Sequence, residues 1–320
     1  MTKITVAIPV HNSEHCLRET IERALAQTFP AHEIIVVDDG STDGTAALVQ
    51  SFGDRVRYIR QENSGASAAR NNAIQHATGD WIAFLDHDDL FQPTKLEKQR
   101  AVIEANPQFV VIYSAFTFLY IDDTTRESPV FPATKLWPAL RYRTPILPST
   151  SVVRRDALLQ VGGFKSGPLV RRVEDWDLWF RLMQHYSGSA FHSIPESLVH
   201  YRVLPNSESK SFMPLAANAL HLMDTLLLDG LIGLRRSLWK RRIQARIYYH
   251  LALSMRGANN PRDWEFMIKS MLLWPLAGRI VPVHRYRVFA HMLFTRLLSP
   301  RASFRYWWPR RQGAQSLRVE

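Results

Sequence analysis

The segment WIAFLDHDDL, residues 81–90, ends an apolar run in three carboxylates and one imidazole: Asp86, His87, Asp88 and Asp89. A strand end that feeds a tight turn brings several such groups to one cleft. Hard divalent cations such as Mn²⁺ or Mg²⁺ take oxygen ligands. A protein often supplies one or two and leaves the rest of the shell to substrate phosphates. The same residues also suit a turn that caps the next helix, and this segment alone leaves both readings open. Asp38 and Asp39 end a second apolar run, 33–37, beside the small-residue turn GSTDGT at 40–45. A carboxylate there accepts an N–H from a nucleobase, accepts ribose hydroxyls, or caps the next helix, the role that suits Asp43. Glu174, Asp175 and Asp177 open the run EDWDLWFRLMQH. They do acid–base chemistry or complement a helix dipole.

These residues need elements to position them. Residues 2–10 read as a strand that becomes buried, 14–28 as a helix, 33–37 as a buried strand, 43–52 as a helix and 56–60 as a strand. A small-residue helix follows over 66–77, then a strand over 81–85 and a helix that starts near Pro93 and runs to about 106. Strands are expected at 109–114, 116–121, 150–154 and 198–203, a turn at 162–164 and a helix at 174–185. Residues 122–148, rich in proline and polar groups, read as an irregular excursion. Alternating strands and helices predict an α/β fold with an open, mostly parallel twisted sheet flanked by helices. In such sheets ligands sit beyond the carboxyl ends of the strands, where Pro9 and both aspartate groups fall.

Composition narrows the classes. Over 320 residues 46% are apolar, enough for a real core, and the single cysteine excludes an internal disulfide. The start of the chain carries no long apolar segment with a small-residue cleavage site, so no signal peptide is expected. No apolar run reaches 18 residues, so no spanning helix is expected. The sequence contains no GxxxxGK[ST], GxGxxG, CxxC, HExxH or GxSxG. Triphosphate loops, dinucleotide folds, structural zinc and a serine-hydrolase elbow are therefore unsupported.

PVHN at 9–12, VVDDGSTDGT at 36–45, NSGASAARNNAI at 63–74, FLDHDDLFQPTKLEKQ at 84–99 and EDWDLWFRL at 174–182 together resemble the family 2 glycosyltransferases. These are inverting, nucleotide-sugar-dependent enzymes of the A-type fold. The resemblance covers about residues 3–205. It implies nucleotide-sugar binding by Pro9, His11, Asn12, Asp38, Asp39, Arg70, Asp86 and His87, with His11 where an aromatic ring commonly stacks on the base. It implies that Asp88, with Asp86, holds Mn²⁺ or Mg²⁺. Asp175 stands where the family places its general base, with Glu174 beside it, acting at the usual carboxylate pKa of about 4. Trp176 and Arg202 are assigned to acceptor or phosphate contact. One departure is Leu204, where some metal-dependent members carry a histidine; the cation would then rest on Asp88 and the diphosphate. No QxxRW motif is present, which favours transfer of one sugar over polymer synthesis.

Residues 1–229 carry 22 basic against 26 acidic residues (net −4), and 230–320 carry 18 against 3 (net +15). Segregation this strong suggests a polyanionic partner. RRSLWKRRIQAR at 235–246, the apolar and arginine-rich 271–298, and RYWWPRR at 305–311 suit an anionic membrane surface, or a helical bundle with exposed arginines. No recognisable module favours nucleic acid. The expected organisation is a catalytic domain over 1–212 and a basic, mostly helical region over 213–320, acting at the cytoplasmic face of the membrane. The expected function is transfer of a sugar, with UDP as the default nucleotide, to a lipid-linked, lipopolysaccharide or other envelope glycan. A nucleotide-sugar-binding scaffold and a nucleotidyltransferase are the alternatives.

Overall fold

The computed structural model describes residues 2–140, 144–204, 218, 221–222, 233–257, 262–275, 286 and 288–289. The chain divides into two compact units, Met1–Lys240 and Arg241–Glu320. The expected boundary at 212/213 lies outside the described residues, as does the RYWWPRR segment.

The first unit is built on strands β1 (Ile4–Val10), β2 (Glu33–Asp39), β3 (Arg57–Gln61), β4 (Trp81–Phe84), β5 (Leu90–Phe91), β6 (Val111–Tyr120), β7 (Thr125–Ser128), β8 (Ser151–Arg154) and β9 (Phe191–Val203). Helices α1 (Leu17–Leu25), α2 (Thr45–Gln50) and α3 (Ala66–His76) are the crossovers between the first four strands. Four further helices are α4 (Lys95–Ala105), α5 (Leu136–Leu140), α6 (Arg155–Gln160) and α7 (Glu174–Tyr186). The sheet runs β3-β2-β1-β4-β8-β6-β9-β5, with β7 beside β6. β3, β2, β1 and β4 are mutually parallel, and β8 enters antiparallel between β4 and β6.

All seven residues of β1 are buried. That explains its nearly continuous apolar run, since a central parallel strand is covered on both faces. Pro9 fits there because the ladder to β4 ends at Ala7, so its missing N–H breaks no bond. α1 turns Leu17, Ile21 and Ala24 to the core at helical spacing. The small residues Ala69 and Ala73 of α3 are buried, and α3 lies close against β1 and β2. Strand order reverses at β1, which lies between β2 and β4. The crevice beyond these ends is the topological switch point of the sheet.

Three expected elements differ. The strands expected at 109–114 and 116–121 are one strand, β6, whose register shifts around Ala115. A bulge of this kind interrupts period-two alternation and imitates a boundary. β9 begins at Phe191, not at 198. The register jumps from Ile194 to Ser197, so Pro195 sits where no ladder bond is needed. The excursion 122–148 contains β7, paired with β6, and α5.

Two further helices are described: α8 (Gly233–Gly257), which runs through the 240/241 division, and α9 (Asp263–Leu273), in the second unit. Ser270 Oγ donates to the carbonyl of Ala245 at 2.6 Å. Tyr248 stacks on Phe266 at 6.0 Å. No helix among the described residues is long and apolar enough to cross a membrane.

Candidate active site

The two aspartates that end β2 have separate tasks. Asp38 is fully buried: its carboxylate accepts the Ser41 N–H at 2.8 Å and the Tyr58 hydroxyl at 2.5 Å, with Arg60 Nη1 at 3.5 Å. Burial alone would raise its pKa, but the hydrogen bonds from Ser41 and Tyr58 outweigh it and hold the group below the usual range. Every polar contact of Asp38 among the described residues is internal, and these contacts shape the turn. Asp39 accepts the N–H groups of Ser64 and Gly65, at 2.8 and 2.7 Å, and Gln61 Nε2 at 2.8 Å. It thereby fixes the loop that opens α3, where Gly65 takes a φ of +88°.

His11 follows β1. Its Nδ1 lies 2.9 Å from the Asp39 carbonyl. A carbonyl only accepts, so Nδ1 carries the proton and Nε2 is free to accept from Asn12 Nδ2 at 3.2 Å. Asn63 Nδ2 lies 3.3 Å from both ring nitrogens. An in-plane approach at that distance would collide with the carbon between them, so the amide covers one ring face. A cleft of about 490 Å³ opens beside this group, lined by Gly40, Arg60, Gln61, Glu62 and Asn63.

The acidic turn after β4 is held through its backbone. Asp86 N–H donates to Ser149 Oγ at 3.1 Å, and Asp89 N–H donates to the Asp86 carbonyl at 3.0 Å. Thr20 Oγ1 lies 2.8 Å from the His87 carbonyl and 3.1 Å from that of Asp89. Arg202 donates to the Asp88 carbonyl, to Cys16 O at 3.0 Å and to Glu19 at 3.2 Å. Arg202 therefore secures the turn against α1, and its donors are engaged within the protein. Asp89, 1% exposed, pairs with Ser149 Oγ at 2.5 Å. Burial, then the charges of Asp88 and Asp86, push its pKa well up.

Asp86 and Asp88 point their chemistry elsewhere. Asp86 Oδ1 meets Arg70 Nη2 at 2.6 Å, and Arg70 Nη1 lies 3.7 Å from Glu174 Oε1. Arg70 is 6% exposed. This one guanidinium joins the strand-end turn to the start of α7. Beside it, Asp175 accepts the Trp176 N–H at 2.7 Å and lies 3.4 Å from Thr144 Oγ1. Burial, then the Glu174 charge, raise its pKa to about 7. This differs from the expected carboxylate value near 4, because position on a helix start does not reveal desolvation by neighbours distant in sequence. Trp176 is 5% exposed, and its indole N–H donates to the Leu140 carbonyl at 2.6 Å. Its polar atom laces the excursion to α7.

Three buried polar atoms around this centre have no partner among the described residues: Arg70 Nε, Glu174 Oε2 and Asp89 Oδ1. Buried polar groups are normally satisfied, so the site is built for a polar occupant. Among the described residues no three His, Cys, Asp or Glu side chains converge as a closed metal cage. The donor set nonetheless fits a cation held mainly by substrate phosphates. The Asp88 carboxylate makes no described bond outside its own residue, and its pKa is raised by burial and by Asp86, though lowered by His87. A cation would relieve that cost.

Sequence reasoning missed Ser149, Thr20 and Asn71, whose roles depend on long-range pairing. It also gave Phe164 only a turn.

Residues 5–162 match the family model described as Glycosyl transferase family 2. The chain is 32% identical over 212 residues to "Putative glycosyltransferase EpsE" of Bacillus subtilis (strain 168), covering 65% of this chain and 74% of that one. It is 30% identical over 214 residues to "Putative teichuronic acid biosynthesis glycosyltransferase TuaG" of the same organism, covering 65% and 82%. S. aureus TarS 1-349 in complex with UDP superposes with a TM-score of 0.60 at 17% identity, over 91% of this chain and 88% of that one. The mannosyltransferase PcManGT from Pyrobaculum calidifontis, in complex with GDP-Man and Mn²⁺, superposes with a TM-score of 0.57 at 17% identity, over 93% and 81%. At such identities the two structures speak for the fold.

Proposed function

The chain belongs to glycosyltransferase family 2 and is a glycosyltransferase; from that premise we propose that it moves one sugar from a nucleoside-diphosphate sugar, with UDP as the nucleotide, to a hydroxyl of a lipid-linked or cell-envelope glycan, inverting the anomeric centre. The observation that carries this reading is Arg70, one buried guanidinium held between Asp86 and Glu174. A departing diphosphate needs buried positive charge, and an attacking hydroxyl needs a base beside it. The arrangement offers both within one crevice. The UDP complex of TarS, the GDP-Man and Mn²⁺ complex of PcManGT and the teichuronic acid assignment of TuaG support the donor class and the envelope acceptor by similarity.

In this reading His11 offers its open face to the base, Asp39 its remaining acceptor position to the nucleoside, and Pro9 and Asn12 shape the wall. Asp88, with Asp86 and His87 beside it, would hold Mn²⁺ or Mg²⁺, which when bound would supply positive charge against the leaving diphosphate. Arg70 does the same from the protein side. Asp175 removes the acceptor proton as the hydroxyl attacks C1 opposite the leaving group. A base with a pKa of about 7 is ionised in much of the population at neutral pH and still binds a proton well. Glu174 holds Arg70 and, by its charge, keeps the pKa of Asp175 up. Direct displacement needs no carboxylate nucleophile, unlike retaining glycoside hydrolysis.

Calorimetry with UDP-, dTDP- and GDP-sugars, with and without Mn²⁺, on wild type and Asp88→Ala tests the reading. Metal-dependent binding of one donor, lost in the variant, is the expected result. Binding of none of them refutes it. Residues 213–320 are proposed as a membrane-surface or acceptor-side element at the inner face of the cell membrane, on the net charge of +15 over 230–320. Sedimentation with phosphatidylglycerol vesicles but not with neutral ones is expected, and equal sedimentation with both refutes it.

A further inference from the structure

We infer that Phe164, clamped by Asn71 and Arg181, is the seat that orients the Arg70 guanidinium, and that Phe164 and Asn71 are positioning residues for transfer. The inference rests on the reading that Arg70 faces the donor diphosphate.

The two carboxylates do not fix the guanidinium by themselves. Asp86 holds one terminal nitrogen at 2.6 Å, and Glu174 lies 3.7 Å from the other. The carboxylates grip opposite ends singly, without the two-point fork that sets a plane. Nε, on the third side, has no partner among the described residues. What remains is the Phe164 ring, whose centroid lies 5.3 Å from Arg70 Cζ. A cation over an aromatic face is attracted by the ring quadrupole, more strongly when both are desolvated. Phe164 is 2% exposed and meets Phe84 edge to face at 5.2 Å, so the ring is itself packed in place.

The backbone beneath the ring is held from both sides. Asn71, next to Arg70 on α3, closes an amide pair with Phe164: Nδ2 donates to its carbonyl at 2.7 Å, and Oδ1 accepts its N–H at 2.8 Å. From α7, Arg181 donates to the Val161 carbonyl at 2.5 Å and to that of Gly163 at 2.8 Å. Its Nε is oriented by the buried Asp177 at 2.7 Å. The turn is thus attached to the helix that carries Arg70 and to the helix that carries Glu174 and Asp175. It sets the spacing between donor-side and acceptor-side groups.

The test uses the full chain and two readouts. Proton–nitrogen correlation spectra of arginine side chains observe Arg70 Nε–H without ligand, assigned by its loss in Arg70→Lys. Phe164→Leu should shift that signal downfield, as ring-current shielding is lost, and broaden it. Phe164→Tyr should retain it, and Asn71→Ala, which keeps the ring but frees its backbone, should broaden it. In calorimetry with UDP and Mn²⁺, Phe164→Leu should weaken binding about three- to tenfold. The same change made in Arg70→Lys should add little. An unmoved Arg70 signal in Phe164→Leu overturns the inference. So does an equal loss of UDP affinity in both backgrounds, which would make Phe164 a packing residue. If the wild type binds no UDP, the proposed donor fails, while the ligand-free spectrum still decides the seat.

Discussion

Arg70 Nη2 lies 2.6 Å from Asp86 Oδ1, and this single ion pair joins a helix that follows β3 to a turn that follows β4. Removing the cation leaves Asp86, Glu174 and Asp175 facing one another. Arg70 also lowers the pKa of Asp175, against burial and the Glu174 charge. Arg70→Ala should therefore cut kcat/KM by at least about a hundredfold, since an electrostatic donor of this kind contributes about 2.7–4 kcal/mol. It should also move the acid limb of the pH–rate profile to higher pH. Steady-state kinetics across pH would check both; an unmoved limb would separate Arg70 from the base.

Asp175 supplies the pH dependence itself. With its pKa raised to about 7, the ionised base fraction, and hence kcat, should rise with pH through about 7. Stability should run the other way. The folded state binds this proton more tightly than the unfolded chain, whose carboxyl titrates near 4. The contribution is full below that range and is lost as pH rises through about 7. Asp175→Asn should thus lose most of its kcat, keep donor affinity, and melt above wild type at pH 8, by about 2–4 °C for each kcal/mol relieved. A variant with near-normal turnover would remove Asp175 from the base role.

Asp38 and Asp88 should separate cleanly. Asp38 is fully buried and its hydrogen bonds are internal; Asp38→Asn leaves one donor without an acceptor and should cost about 1–3 kcal/mol. Its folded pKa is lowered, so its contribution is present above the unfolded carboxylate range and is lost as pH falls through the folded value. Asp88→Asn should change Tm little and abolish the effect of Mn²⁺ on donor affinity. Thermal melts and calorimetry on both variants would check this, and a reversed pattern would exchange their roles.

Gly163 has a φ of +63°, and a Cβ there would lie 2.3 Å from Asn71 Oδ1. Gly163→Ala therefore meets left-handed backbone strain of about 1–2 kcal/mol and breaks the Asn71 clamp. It should lower Tm and kcat/KM together. The adjacent Gly162→Ala, with a φ of +77° but nothing within 4 Å of its Cβ, should lower Tm alone. Parallel melts and kinetics on the pair would show whether the clamp matters beyond strain.

Sequence by itself determined the parallel half of the sheet and the chemistry at its edge. Buried parallel strands must be apolar throughout, and the carboxyl ends of such strands border the crevice, so VVDDG and FLDHDD marked the candidate site without a structure. It also placed Glu174 and Asp175 at a helix start, where α7 begins. Tertiary structure alone decided which carboxylates are available. Asp38 and Asp39 are neighbours of one type, yet one is closed within its turn and the other holds the loop into α3. Trp176 and Arg202 carry binding chemistry in their side chains, but their donors meet backbone carbonyls far along the chain. Asp175 has the pKa of a useful base only because segments distant in sequence exclude water from it and bring Glu174, Arg70 and Asp86 near. Local pattern reports which face a residue occupies. Burial and partner choice are sums over contacts at long sequence separation, and these exist only once the chain has folded.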